Sequence, residues 1–230
     1  MPTFILIPGA GGVAWYWHRI VPLLQAAGYD AIAVDLPGDD EHAGLSTYAD
    51  RVVTAIHERT DVTLVAQSLG GFTAPLVCAR VRVRRLVFVN AMIPAPGETA
   101  GDWWGNTGSI AARTAAAHRG GYTARFDPTT YFLHDVPPSI IQHGEPQVRA
   151  QAERVFAEPC RFDGWPDVPI HVIAGRDDRF FPIDFQRRIA RTRLNANVDE
   201  LPGGHLVALS NPRGLVHLLL AYLGHTRRPA

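Results

Sequence analysis

Apolar residues along this chain fall into two arrangements that alternate. One is the short, nearly continuous run: Phe4 to Ile7, Val62 to Val65, Leu86 to Val89 and Ile170 to Ala174. Runs of this kind, rich in β-branched residues and ended by Gly, Pro or Asn, read as strands buried on both faces. Tyr29 to Leu36 and Val198 to Leu201 read as two further strands. The other arrangement has helical spacing. Trp15 to Ala27 brings Ile20, Leu23 and Leu24 to one side and stops at Gly28, with Pro22 marking a start or a kink. Tyr48, Val52 and Ile56 share one face behind a Thr47–Asp50 pair that resembles a capping box. Phe72 to Ala79 is expected to be helical, kinked at Pro75. Pro182 to Ile189 begins another helix, and Asn211 caps a last one running to Leu223. The tail Thr226 to Ala230 is expected to fray.

Strand and helix in alternation predict an α/β fold: a mostly parallel, doubly wound sheet with right-handed crossovers and helices on both faces. From Pro94 to about Pro166 the alternation breaks. Trp103-Trp104, Gly120-Gly121 and Pro137-Pro138 punctuate this stretch, and short helices are expected at Ala111 to Ala117 and Gln147 to Phe156. The organisation that follows is a core of residues 1–93 and 167–230 with a small helical cap inserted at 94–166. Its aromatics either line an apolar pocket or fasten the cap to the core. Met92, Trp103, Trp104, Tyr131 and Phe132 are the expected pocket residues.

Composition narrows the chemistry. The 230 residues carry zero formal net charge, so nothing favours nucleic acid or an anionic membrane as partner. Every one of the 22 basic residues is arginine. Schiff-base catalysis, pyridoxal-phosphate attachment and a P-loop lysine are therefore excluded. The two cysteines, Cys78 and Cys160, stand too far apart in sequence to suggest a zinc motif or a disulfide framework. No cofactor or metal is expected. A strand already under way at Thr3 leaves no room for a signal peptide, and Leu215 to Leu223 is too short to span a bilayer, so the expected location is cytoplasmic. Oligomeric state has no signature in the sequence.

The stretch Val65-Ala66-Gln67-Ser68-Leu69-Gly70-Gly71 lies between a strand and a helix. It has two readings. Ser68 could simply cap the helix. Alternatively, it is a nucleophile held on a turn so tight that positions two before and two after must be tiny, here Ala66 and Gly70. Gly9-Ala10-Gly11-Gly12 after the first strand also has alternatives. It does not satisfy G-x-G-x-x-G, which disfavours a phosphate cradle; it is an oxyanion-binding loop or a plain turn.

A serine hydroxyl needs a base, and the base needs a carboxylate that holds its tautomer. In a doubly wound sheet such groups gather at the carboxyl ends of strands. Ser68, the Asp177-Asp178 pair and His205 all follow predicted strands. Of ten histidines, His205 alone follows a Gly-Gly pair after the last strand, on a loop able to reach back to Ser68. Asn90 occupies the other strand end where the acid could have stood.

These motifs together resemble a small α/β-hydrolase of the methylesterase and hydroxynitrile-lyase branch. Ile7 to Trp17 is similar to that branch's H-G-A…G-A-W-x-W segment, with Pro8 in place of His. Val65 to Gly71 matches the elbow apart from Ala66, and Gly204-His205 matches the base loop. Gly175 to Pro182 matches G-x-x-D-x-x-x-P, which selects Asp178 over Asp177. The order Ser, Asp, His is that of the α/β-hydrolase fold.

The resemblance implies a Ser68–His205–Asp178 triad and an oxyanion hole formed by the backbone N–H groups of Ala10 and Leu69. It also implies cleavage of a small or medium carboxylic ester, lactone or thioester through an acyl-enzyme. The partner would be a small-molecule ester. Hydroxynitrile lyases of the branch use a lysine after the histidine; Leu206 stands there instead, which demotes that activity. A cofactor-free haloperoxidase or perhydrolase-like activity needs the same triad. A non-catalytic, ligand-binding scaffold is the alternative from another class.

Overall fold

The computed structural model describes residues 1–224. Six parallel strands form one sheet in the order β2-β1-β3-β4-β5-β6: β1 Thr3–Ile7, β2 Asp30–Ala33, β3 Val62–Gln67, β4 Arg85–Val89, β5 Ile170–Gly175 and β6 Val198–Leu201. β1, β3 and β4 are buried along their whole length, because both faces of the sheet are covered. Ile5 and Ile7 enter one core, with α2 Leu45–Ile56, α3 Gly70–Cys78 and α8 Ile183–Leu194. Phe4 and Leu6 enter the other, with α1 Val21–Ala26, α9 Val207–Ser210 and α10 Pro212–Gly224. The period-two alternation of strand side chains thus feeds two apolar layers, which is why the runs read as continuous. Among the described residues no helix is long and apolar enough to cross a membrane. The tail expected to fray lies outside the described residues.

Several expectations need correction. The helix expected over Trp15 to Ala27 is broken in two: a 3-10 turn at Ala14–Trp17, then α1, with Pro22 in its first turn, where no amide is needed. The Thr47–Asp50 capping box does not form. α2 begins at Leu45, whose N–H donates to Glu158 Oε2 at 2.9 Å, and Asp50 pairs with Arg80. A carboxylate more than a hundred positions away replaces the local cap, a relation no local pattern could reveal. The final helix is capped as expected, Asn211 Oδ1 accepting from Gly214 N–H at 3.1 Å.

Between β4 and β5 the chain forms α4 Ala100–Thr107, α5 Ser109–Gly120, a π-helical turn at Thr129–Leu133, α6 Pro138–Gly144 and α7 Arg154–Ala157. The helix expected over Gln147 to Phe156 shrinks to α7. Residues ahead of it are held extended over the core: Ala152 N–H donates to Gly38 O at 2.7 Å, and Arg149 Nη1 donates to Leu36 O at 2.6 Å. The neck of this region is anchored by an ion pair between buried Glu98 and half-buried Arg193. Burial alone would raise the Glu98 carboxyl, but bonds from Arg193, Ala95 N–H and Asn106 outweigh it and hold the group below the usual carboxylate range.

Candidate active site

Ser68 follows β3 with φ at 49°, in the left-handed region that side chains avoid. Three local bonds hold it there: its N–H donates to Val89 O at 3.3 Å, while Gly71 N–H and Met92 N–H each donate to its carbonyl at 3.0 Å. The turn leaves no room beside it. A Cβ on Gly70 would lie 2.5 Å from Pro8 O, and one on Gly9 would lie 2.8 Å from Ser68 Cβ. Ala66, the departure from glycine two places earlier, is fully buried and its methyl joins the core on the α2 and α3 side. Ser68 is therefore on a strained elbow, not at an ordinary helix cap.

His205, on the loop between β6 and α9, stands with Nε2 3.1 Å from Ser68 Oγ and Nδ1 2.8 Å from Asp178 Oδ2. A carboxylate can only accept, so Nδ1 carries the proton and Nε2 is left to accept from the serine hydroxyl. Asp178 lies in the loop after β5. Its Oδ1 accepts from Phe180 N–H at 2.8 Å and Phe181 N–H at 2.9 Å. Neighbouring Asp177 is turned the other way, accepting from Gly203 N–H at 3.1 Å. The pair is dry: His205 is 2% exposed and Asp178 is 4% exposed. Phe132 stacks on the imidazole with ring centroids 5.1 Å apart, and Phe180 and Phe181 meet it at steeper angles. Low surrounding polarity strengthens each charge-assisted bond within the cluster.

Opposite Ser68 runs the loop Gly9 to Gly12. Gly11 has φ of 82° and Gly12 of 69°, and Gly11 N–H donates to Gln151 Oε1 at 2.9 Å. Within the described residues, the N–H groups of Ala10 and Leu69 have no hydrogen-bond partner. Two unengaged amides flanking a serine suit a developing oxyanion. Among the described residues no cluster of His, Cys, Asp and Glu could hold a metal ion.

A cavity of about 420 Å³ opens onto Ser68 and His205. The structure corrects most of the expected lining. Phe132 lines it, whereas Met92, Trp103, Trp104 and Tyr131 do not. Trp103 is fully buried, its Nε1 donating to Ile93 O at 3.0 Å and its ring packed edge-on against Trp104. The Tyr131 hydroxyl donates to Thr123 O at 2.8 Å, with the Arg113 guanidinium over its ring. Met92 belongs to the core beneath α3. Trp103, Trp104 and Tyr131 thus pack the segment between β4 and β5. The walls come instead from Trp15, Leu133, Val136, Ile140, Ile141 and Leu206. The Ile140-Ile141 pair beside Pro137-Pro138 was visible in the sequence, but its short helix has too little periodicity to mark a face. Tyr16 also lines the cavity, its hydroxyl accepting from Ala208 N–H at 3.4 Å, and burial pushes its phenol pKa above the ordinary value.

The family model described as the alpha/beta hydrolase family matches residues 4–218. This chain belongs to that family. Among curated proteins, it is 33% identical to a probable esterase of Oryza sativa subsp. indica over 110 residues, 43% of this chain. That match spans 42% of the rice protein, less than half its length. An alpha-hydroxynitrile lyase of Arabidopsis thaliana is 24% identical over 95% of both chains. Among solved structures, a methylesterase from Arabidopsis superposes with a TM-score of 0.78, covering 98% of this chain and 100% of that one at 19% identity.

Proposed function

We propose that this protein is a serine hydrolase that cleaves a small or medium, largely apolar carboxylic ester through an acyl-enzyme. One observation carries the reading. A single buried imidazole is within hydrogen-bond reach of both a strained serine hydroxyl, at 3.1 Å, and a carboxylate, at 2.8 Å. Curated relatives named as esterases support the same reaction type.

In the first half-reaction Ser68 Oγ attacks the ester carbonyl while His205 Nε2 takes its proton. The carbonyl oxygen, now negative, turns to the N–H groups of Ala10 and Leu69. Losing one such donor typically costs about 100 to 1000-fold in turnover. Asp178 stabilises the imidazolium without taking its proton. Collapse of the tetrahedral intermediate breaks the ester C–O bond, and the alcohol leaves with the proton from His205. Water then repeats the sequence on the acyl-enzyme and releases the acid. The apolar wall beside Ser68 favours an uncharged acyl or alcohol group.

The test is hydrolysis of short-chain nitrophenyl esters. Wild type is expected to turn them over and Ser68→Ala to fall to background. Should wild type and Ser68→Ala be equally inert while a small apolar ligand raises the Tm of both, a non-catalytic binding scaffold is the better account.

A further inference from the structure

Asn90 stands at the carboxyl end of β4, between the strand that leads to Ser68 and the one that leads to Asp178. It is fully buried, and its φ is 46°. Its own N–H donates to Ile173 O at 3.0 Å, tying it to β5. The side chain commits every hydrogen-bonding position to the loops of the site. Nδ2 donates to Gly204 O at 3.0 Å and to His205 O at 2.9 Å. Oδ1 accepts from Gly175 N–H at 2.8 Å and from Gln186 Nε2 at 3.3 Å. Gln186 Nε2 has two hydrogens: one goes to Phe181 O at 2.7 Å, and the other is shared between Asn90 Oδ1 and Asp178 Oδ2, each at 3.3 Å.

A primary amide has two donors and an oxygen with two lone pairs, and here all four are used. A carboxylate could not donate to the two carbonyls; a leucine could do neither task. None of the bonds made by Asn90 itself reaches Ser68 Oγ, the His205 ring or the Asp178 carboxylate. What they join is the backbone carrying the base to the backbone carrying the acid, beside a reciprocal pair one step away, Asp177 N–H to Gly203 O at 3.0 Å and Gly203 N–H to Asp177 Oδ2 at 3.1 Å, a bond from Gly204 N–H to Asp135 Oδ2 at 2.5 Å, and a weaker one from Gln67 Nε2 to His205 O at 3.4 Å.

We infer that Asn90 is a positioning residue, whose amide fixes the His205 backbone against the Asp178 loop so that Nε2 stays within reach of Ser68 Oγ. This rests on the triad reading above. Misplacement of a catalytic group by about 1 Å can cost on the order of 100-fold.

The experiment compares wild type, Asn90→Ala and Asn90→Asp by ester turnover and by the rate at which a fluorophosphonate labels Ser68. The aspartate keeps the acceptor for Gly175 but sets oxygen against the carbonyls of Gly204 and His205. Both variants are expected to lose about 10 to 100-fold in kcat with little change in KM, and to be labelled more slowly by the same factor. Labelling rate is read per reactive molecule, so it remains measurable where only part of the protein folds. A purely structural role would lower Tm and leave that rate and kcat per folded molecule as in wild type, which overturns the inference alone. Wild type that takes up no label overturns the triad reading and this inference with it.

Discussion

At Ser68 the backbone adopts φ of 49°, a conformation that costs on the order of 1–3 kcal/mol wherever a side chain is held in it. The cost is met locally, by the three bonds to Val89, Gly71 and Met92 and by glycines where a methyl would collide. This steric demand is why the elbow at Ser68 was legible in the sequence: small residues at fixed offsets leave a trace. Choosing the carboxylate that meets His205 needed more. Asp177 and Asp178 differ by one step along the loop, and that step decides which carboxylate faces the imidazole and which faces Gly203. Asp178→Asn is expected to cost about 10⁴-fold in kcat, because an amide at that place favours the wrong imidazole tautomer. Asp177→Asn should cost far less. Steady-state kinetics on the two variants decides the matter, and the reverse order would show that Asp177 supports the base.

At the scale of elements, the strands were readable because their apolar character is imposed twice, once by each face of the sheet. The cap was not. Its short segments owe their shapes to partners distant in sequence, such as Gln151 on Gly11 N–H and Arg149 on Leu36 O. Of the aromatics that suggested a pocket, Phe132 lines the cavity while Trp103, Trp104 and Tyr131 serve as packing, and the wall includes Ile140 and Ile141 of α6 and Trp15. Trp15 and α6 meet closely: the indole stacks on His18 with centroids 4.2 Å apart, and a Cβ on Gly144 would lie 2.8 Å from its Cη2. Gly144→Ala should therefore push the indole into the cavity, and Trp15→Ala should enlarge it. Across nitrophenyl esters of increasing acyl length, kcat/KM is expected to shift toward shorter chains in the first variant and longer chains in the second. Identical profiles in all three proteins would mean that this wall does not contact substrate.

Over the whole molecule, the site exists only because the sheet is complete. Ser68 follows β3, Asn90 ends β4, Asp178 follows β5 and His205 follows β6, so four neighbouring strands must pair in register before His205 can reach Ser68. The alternation of runs and helical faces predicted a parallel sheet but not the order of its strands, and it is that order which brings together residues 137 positions apart at 3.1 Å. Everything proposed for the chemistry depends on Ser68 Oγ being activated by that assembly. The most direct measurement is the site of covalent modification after brief exposure to a fluorophosphonate, read by peptide mass spectrometry. One adduct per chain, on the peptide containing Ser68 and absent from Ser68→Ala, is the predicted result; native protein that stays unmodified, or is modified at another serine, would contradict the account.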